Sequence, residues 1–480
     1  MRDGRRLNPE GAAPEPKRRG VGRNFLALGS GEAAARLIAF GVTMILARVV
    51  GPDGYGVVAL AMGVNLYLIK IADGGVDAAG TQSISGAPGR VSRLGSAVLT
   101  VRVLVAVAVA AITAPAAFFL LPRPEGPVLA LFTLTLIPVA AGTRWIHVGL
   151  EDARPVGWAR VAGEALALGG VVVFVSSIDD LWVVPLVLGA GELLFAALLL
   201  QVLVRRGYRF RPRWDWQEAA PVFRRGFPLL IQTLLGLLIY NADIVLLRVF
   251  QDRAAVGHYG AAYALISFMA NLGMAWGLSL LPALTRAGSD PVHERALYRT
   301  GLAQACAVTL PVAAGGWMVA DGIVALAYGG GFEPSVVALQ ILLFSVPLTV
   351  VRNTAWYALV ARGRGDTLTW ISVVAVVFNV VLNLALIPTY SIGGAAVATV
   401  ATEALICVLS MQRAAREGLG WIPAGRLLRP AAATAAMVVA LALAPVAGLF
   451  VPVVLGVVVF VGVLGALGGI RLRPAPGLNV

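Results

Sequence analysis

The chain has 480 residues, a formal net charge of +13, 59% apolar residues and only 13% charged ones. Soluble domains run about 45–50% apolar and about 25% charged, so an ordinary water-soluble enzyme is excluded. Fourteen apolar stretches of about 20 residues, the length that crosses a hydrocarbon core, leave only short loops between them.

In chain order, residues 1–24 are polar and rich in Pro, Gly and Arg, and read as a disordered basic segment. A cleaved leader is not expected here: the apolar stretch that follows is a full span, interrupted at its middle by Arg36, with no clear cleavage site after it. Helices are predicted over 25–49, 55–83, 92–121, 126–149, 155–176 and 181–204, which form a first lobe, 25–204. A basic linker, 205–219, precedes 220–248, 254–284, 297–327, 335–361, 367–387 and 391–412, which form a second lobe, 220–412. A basic loop, 413–426, leads to two further helices, 427–446 and 451–470, and a tail, 471–480. The predicted fold is thus an all-α integral membrane protein of about fourteen transmembrane helices.

Alternate loops differ in charge. Of the 38 basic residues, 28 fall on one side, four (Arg48, Arg123, Arg248, Arg253) on the other, and six inside spans. The positive-inside rule then places both termini in the cytoplasm. The outer loops are short, which opposes a glycan ligase or polymerase. Asp179-Asp180 reads as a turn rather than a metal site.

The two lobes show weak self-similarity. Leu46-Ala47-Arg48-Val49 and Tyr55-Gly56 recur as Leu247-Arg248-Val249 and Tyr259-Gly260, and Trp145 and Trp158 recur as Trp356 and Trp370. Six helices per lobe give both lobes one orientation, so the implied pseudo-two-fold runs along the membrane normal, with the last two helices outside the repeat. In transporters built from repeats, substrate binds between the repeats.

Charged side chains inside spans cost roughly 2.5–3.5 kcal/mol each on insertion scales and mark function by default. Glu32 and Arg36, and Arg160 and Glu164, have the spacing of intrahelical pairs. Arg102, Arg160 and Arg144 lie near enough to cytoplasmic ends to snorkel, and Arg48 and Arg248 are placed to meet outer headgroups. Arg36, Lys70 and Arg352 are harder to dismiss. Lys70 lies about fifteen residues into its helix, some 22 Å along it at about 1.5 Å per residue. Gly74-Gly75 follows, where a helix can kink or open, and opened backbone is tolerated only against protein or water. These cations suit an anionic ligand such as a diphosphate. Candidate substrate-binding residues are Arg36, Lys70, Arg352, Arg144 and Arg248; candidate ion-coupling residues are Asp73, Asp77, Asp243 and Glu403. Asn379 and Asn383 form a further i, i+4 polar pair. No cofactor or metal is expected: Cys306 and Cys407 lie inside apolar spans, and His147, His258 and His293 are scattered. No nucleic-acid-binding motif accompanies the basic charge.

The runs Asn24-Phe25-Leu26, Ile45-Leu46-Ala47-Arg48-Val49-Val50-Gly51-Pro52-Asp53-Gly54-Tyr55-Gly56 and Asp73-Gly74-Gly75-Val76-Asp77 resemble the polysaccharide (O-antigen and teichoic acid) flippase family. That family belongs to the multidrug/oligosaccharidyl-lipid/polysaccharide exporter superfamily. Gly51-Pro52 would stop the first helix, Gly54 and Gly56 allow a tight turn, and Tyr55 can anchor at the interface. The resemblance implies two six-helix lobes and alternating access for a polyprenyl-diphosphate-linked glycan, moved from the cytoplasmic to the outer leaflet. It also implies a monomer working among membrane lipids, beside a glycan polymerase or glycosyltransferases. Related lipid II flippases carry a basic residue mid-way along the first helix and another in the second; Arg36 and Lys70 stand at similar positions, with Lys70 where those have Arg. The alternative is a cation-coupled multidrug exporter of the same fold.

Overall fold

A computed structural model describes residues 21–86, 88–422, 424–444 and 448–468. The polar segment up to residue 20 and the tail 471–480 lie outside the described residues. Among the described residues every regular element is helical. In order these are α1 Val21–Asp73, α2 Val76–Ser85, α3 Val91–Leu120, α4 Glu125–Thr133, α5 Leu136–Ala140, α6 Arg144–Gly149, α7 Arg154–Phe174, α8 Val183–Arg205 and α9 Trp216–Phe250. There follow α10 Arg253–Ala287, α11 Pro291–Met318, α12 Ala320–Tyr328, α13 Ser335–Leu342, α14 Ser345–Ala361, α15 Gly365–Arg416, α16 Ala424–Leu443 and α17 Phe450–Ala466.

Ten of the described helical runs are long and apolar enough to cross a membrane, or eleven if α11 and α12, bent by 76°, count as one span. Length and apolarity alone therefore do not reach the predicted fourteen. Two of the ten are double. α1 has 53 residues and turns at Gly51 (φ 69°, ψ 179°), with Pro52 behind it. α15 has 52 residues and turns at Ser391 (φ 49°, ψ −129°). At 1.5 Å per residue each would measure nearly 80 Å against a core of about 30 Å, so each is two spans meeting at a turn. α17, with 17 residues, is apolar but short.

The described residues form two compact units. The first holds those up to Val42 together with Val64–Thr233; the second holds Thr43–Gly63 and those from Leu234 onward. The hairpin around Gly51 thus belongs with the second unit, whereas the sequence assigns it to the first lobe. Helices in hydrocarbon approach through small residues, and both units do this. In the first unit a Cβ on Gly163 would lie 2.7 Å from the Gly191 carbonyl oxygen, and one on Gly80 2.6 Å from the Trp145 ring. Trp145 is fully buried with Ile146, Leu94 and Val98 around it. In the second unit Tyr298, Leu302, Cys306, Cys407 and Met411 form a core. Start signals work as chemistry requires: the Asp252 carboxylate accepts from the Ala255 N–H at 2.8 Å, and Asp290 from Val292 and His293, each capping a helix. Asp179-Asp180 is a turn, in which Asp180 accepts from the Ser176 and Ser177 N–H groups at 2.9 and 3.0 Å.

Candidate functional site

In the first unit the helix after Lys70 breaks where two glycines allow it. Gly74 and Gly75 have φ of 62° and 76°, and α2 restarts at Val76. The Asp77 N–H points back to the Asp73 carboxylate at 3.5 Å. Here glycine is also required by space. A Cβ on Gly75 would lie 2.1 Å from the Gly226 carbonyl oxygen, and one on Gly74 2.8 Å from the Phe223 ring. α9 therefore packs directly on the break. Beside it opens a recess of about 80 Å³ lined by Lys70, Asp73, Gly75, Asp77, Leu229 and Thr233. Drug-sized ligands take about 300–1,000 Å³, so this recess suits a small ion or one phosphate group.

The charges around the break are unequally committed. Arg102 is 3% exposed and forms an ion pair with Asp73 at 2.8 Å, with Asp77 at 4.0 Å. It does not snorkel, because a buried carboxylate holds it inside. Arg160 does not snorkel either. It bridges Glu164 at 2.8 Å and Glu192 at 2.7 Å and sits over the Phe195 ring. The Glu32/Arg36 intrahelical pair is absent: Glu32 is taken by Arg144 of α6 at 3.4 Å, and Arg144 stays exposed. Arg36 is exposed, and among the described residues no carboxylate lies within ion-pair distance of Arg36 or Lys70.

In the second unit the opposite holds. Arg352 donates from Nε to Glu403 at 2.9 Å and from Nη2 to the Tyr240 hydroxyl at 2.7 Å, while Tyr240 donates to Glu403 at 2.8 Å. The Arg352 and Glu403 side chains are only 12% and 2% exposed. Asp243, fully buried, accepts from the Tyr259 hydroxyl, from the Thr399 hydroxyl at 3.2 Å and from the Ile244 N–H at 3.0 Å. No cation lies within ion-pair distance of it among the described residues. Asn379 donates to Thr402 at 3.2 Å and Asn383 to Asn379 at 3.0 Å, continuing a polar band. Tyr240 and Thr399 escape the sequence reading, and Tyr259 figures there only as a repeat match. A signal existed, since Thr399, Thr402 and Glu403 make an i, i+3, i+4 polar stripe on an apolar helix.

The repeat-like residues part company in their contacts. Arg48 is exposed and also has protein partners: it donates to the Ala327 carbonyl at 2.9 Å and to that of Leu326. It thereby caps the carbonyl end of α12, where a cation is also favoured by the helix dipole. Arg248 donates to the Gln251 carbonyl at 3.5 Å. Tyr55 is not an interfacial anchor. It is 6% exposed and meets the Phe332 ring edge-on at 6.4 Å. Next to it, Gly56 and Gly257 bring backbone onto backbone, a Cβ on either falling 2.0 Å from a carbonyl oxygen of Arg253 or Pro52.

An all-helical scaffold with several membrane-length apolar helices and ionisable residues inside them defines a multi-pass membrane protein. The chain belongs to the family described as polysaccharide biosynthesis protein, which matches residues 21–287. Over 178 residues it is 29% identical to the probable flippase AglR of Haloferax volcanii, an alignment covering 35% of this chain and 37% of that protein. Its fold matches that of the lipid II flippase MurJ in an inward closed conformation (TM-score 0.74, 12% identity, 92% of this chain and 98% of that one). It also matches an inward-facing multidrug resistance MATE family transporter of the MOP superfamily (TM-score 0.62, 14% identity, 82% of this chain and 98% of that one).

Proposed function

We propose that this protein is a flippase that carries a polyprenyl-diphosphate-linked oligosaccharide from the cytoplasmic to the outer leaflet by alternating access, for cell-surface polysaccharide synthesis. The observation that carries the reading is the pair of intramembrane cations, Arg36 and Lys70, that have no carboxylate within ion-pair distance among the described residues. Lys70 is half-buried and Arg36 exposed; a cation inside a span without an ion-pair partner is costly, and a diphosphate passing through would supply the missing anion. Family membership and the names of AglR and MurJ support the same substrate class. In this reading the protein is a transporter rather than an enzyme. It acts as a monomer in the inner membrane, both termini are cytoplasmic, and glycan polymerases or glycosyltransferases work nearby. Arg144 and Arg248 remain secondary diphosphate ligands. Arg352 joins them only when it leaves Glu403.

Of the four ion-coupling candidates, Asp243 is the one buried without a cation, and it is proposed to take a proton or a monovalent cation. Asp73, Asp77 and Glu403 already face arginines. Asp243, with the MATE-like fold, favours the second reading, a cation-coupled multidrug exporter. Deleting the gene and locating the glycan-lipid by leaflet-specific labelling separates the two. Accumulation on the cytoplasmic leaflet, rescued by the wild type but not by R36A/K70A, supports the flippase. An unchanged glycan-lipid pool transfers the case to the exporter.

A further inference from the structure

The segment joining α8 to α9 has no regular secondary structure, yet it is fixed in place. The backbone N–H groups of Arg209, Arg211 and Arg213 donate to the hydroxyls of Ser92 at 3.2 Å, Ser96 at 3.1 Å and Thr100 at 2.9 Å. Two residues of extended chain advance about 6.6 Å and four residues of helix about 6 Å. The two repeats nearly coincide, so the strand runs as a strap along a hydroxyl ladder on α3. Tyr208 and Phe210 turn inward, with Phe210 over Gly95, where a Cβ would lie 2.7 Å from its ring. The alternation leaves Arg209, Arg211 and Arg213 outward and exposed. Trp214 and Trp216, 66% and 50% exposed, stack on each other at 6.5 Å and 15°.

The carboxylates nearby are engaged elsewhere. Asp215 faces Arg93 and Arg213, Glu218 faces Arg90 and Arg93, and Asp152 faces Arg206. Among the described residues none lies within ion-pair distance of Arg205, Arg209 or Arg211. A solvated topology signal accounts for arginines, but not for two stacked, exposed tryptophans at the end of two membrane-length helices. Tryptophan prefers the headgroup level, and clustered arginines beside a span attract anionic lipid. We propose that the strap is a docking surface for the anionic phospholipids of the leaflet it borders. Arg205, Arg209 and Arg211 hold headgroup phosphates while the Trp214–Trp216 stack sits among the headgroups. The surface is independent of the transport reading above.

The test uses the full-length protein in nanodiscs of mixed phosphatidylcholine and phosphatidylglycerol, with one lipid at a time brominated. The fluorescence difference between wild type and W214F/W216F isolates the stack. Brominated phosphatidylglycerol should quench that signal more than brominated phosphatidylcholine at equal mole fraction, and 1 M salt should narrow the gap. R205Q/R209Q/R211Q should abolish the preference, at roughly fivefold in relative affinity per arginine removed. R205K/R209K/R211K, which keeps the charge, should retain it. Equal quenching by both lipids in the wild type, an undiminished preference in the glutamine variant, or its loss in the lysine variant overturns the proposal.

Discussion

The two compact units spend their intramembrane charge differently. In the second, Arg352 is enclosed by Glu403 and Tyr240, and Asp243 by Tyr259 and Thr399. In the first, Arg102 and Arg160 are matched by carboxylates while Arg36 and Lys70 are not. An ionisable residue inside a span is a functional candidate by default, but the contrast shows that pairing divides the candidates. A charge already satisfied by the protein holds helices together. A charge left over at an opened helix, as at Lys70 beside Gly74-Gly75, has capacity for something that comes and goes.

The largest effect should come from removing the unsatisfied cations. Charge-assisted hydrogen bonds are worth about 1.5–3 kcal/mol each, so R36A/K70A should lower glycan-lipid translocation by two orders of magnitude or more. Its thermal stability in detergent should match the wild type, because no protein partner is orphaned. A stability loss comparable to that of a core variant would place both residues with the structural charges and erase the contrast. Single cysteines at 36 and 70 should also react with polar thiol reagents in the membrane, whereas one at 352 should react far less.

Breaking the enclosed pair should show the reverse pattern. R352A strands Glu403 in the interior, a loss of about 3–5 kcal/mol for a buried ion pair cut on one side. R352M/E403M removes both charges and should recover most of it. If the double variant folds well but transports poorly, Arg352 has a second task beyond holding Glu403. Next in size, D243N keeps a hydrogen-bonding side chain against Tyr259 and Thr399 but cannot carry a negative charge. Transport by this variant should lose its dependence on proton or sodium gradients. Unaltered gradient dependence would make Asp243 a structural acceptor only.

How far the sequence reveals this arrangement depends on what a residue needs. Backbone demands are local: Gly51-Pro52 and Gly74-Gly75 announce their breaks because few other residues tolerate the conformation, and both breaks are found. Charge asymmetry of the loops and the apolar stretches likewise announce a multi-pass helical protein. Partner choice is not local. Glu32 and Arg36 have ideal intrahelical spacing, but Arg144, over a hundred positions away, takes the carboxylate. Arg102 reads as a snorkelling residue because its depth is visible in sequence and Asp73, on another helix, is not. Tyr55 and Arg48 belong to the most recognisable motif in the chain, and their roles still become clear only when Phe332 and the end of α12 are in place. Helix rotation decides all of these, and one sequence does not fix it.

The smallest predicted effect lies outside the spans and carries a pH signature. Glu417, just past α15, accepts from Arg364 at 2.8 Å and forms an ion pair with Arg413 at 3.0 Å, with Arg362 at 3.9 Å. The hydrogen bond from Arg364, followed by the charges of Arg364, Arg413 and Arg362, holds its carboxyl below the usual carboxylate range. A depressed folded-state value means the stabilisation is complete above the ordinary glutamate pKa, about 4.3. It is lost as pH falls through the depressed value. Water screens the more exposed arginines, Arg364 at 46% and Arg413 at 34%, so the network should contribute no more than about 1 kcal/mol. E417Q should therefore lower the melting temperature slightly at neutral pH, and the difference from wild type should shrink and vanish in acid. A difference that persists after Glu417 is protonated would show that the glutamate acts through packing of its side chain and not through its charge. The arginines at the facing ends of α14 and α15 would then count as solvated residues rather than as a clamp across helix ends.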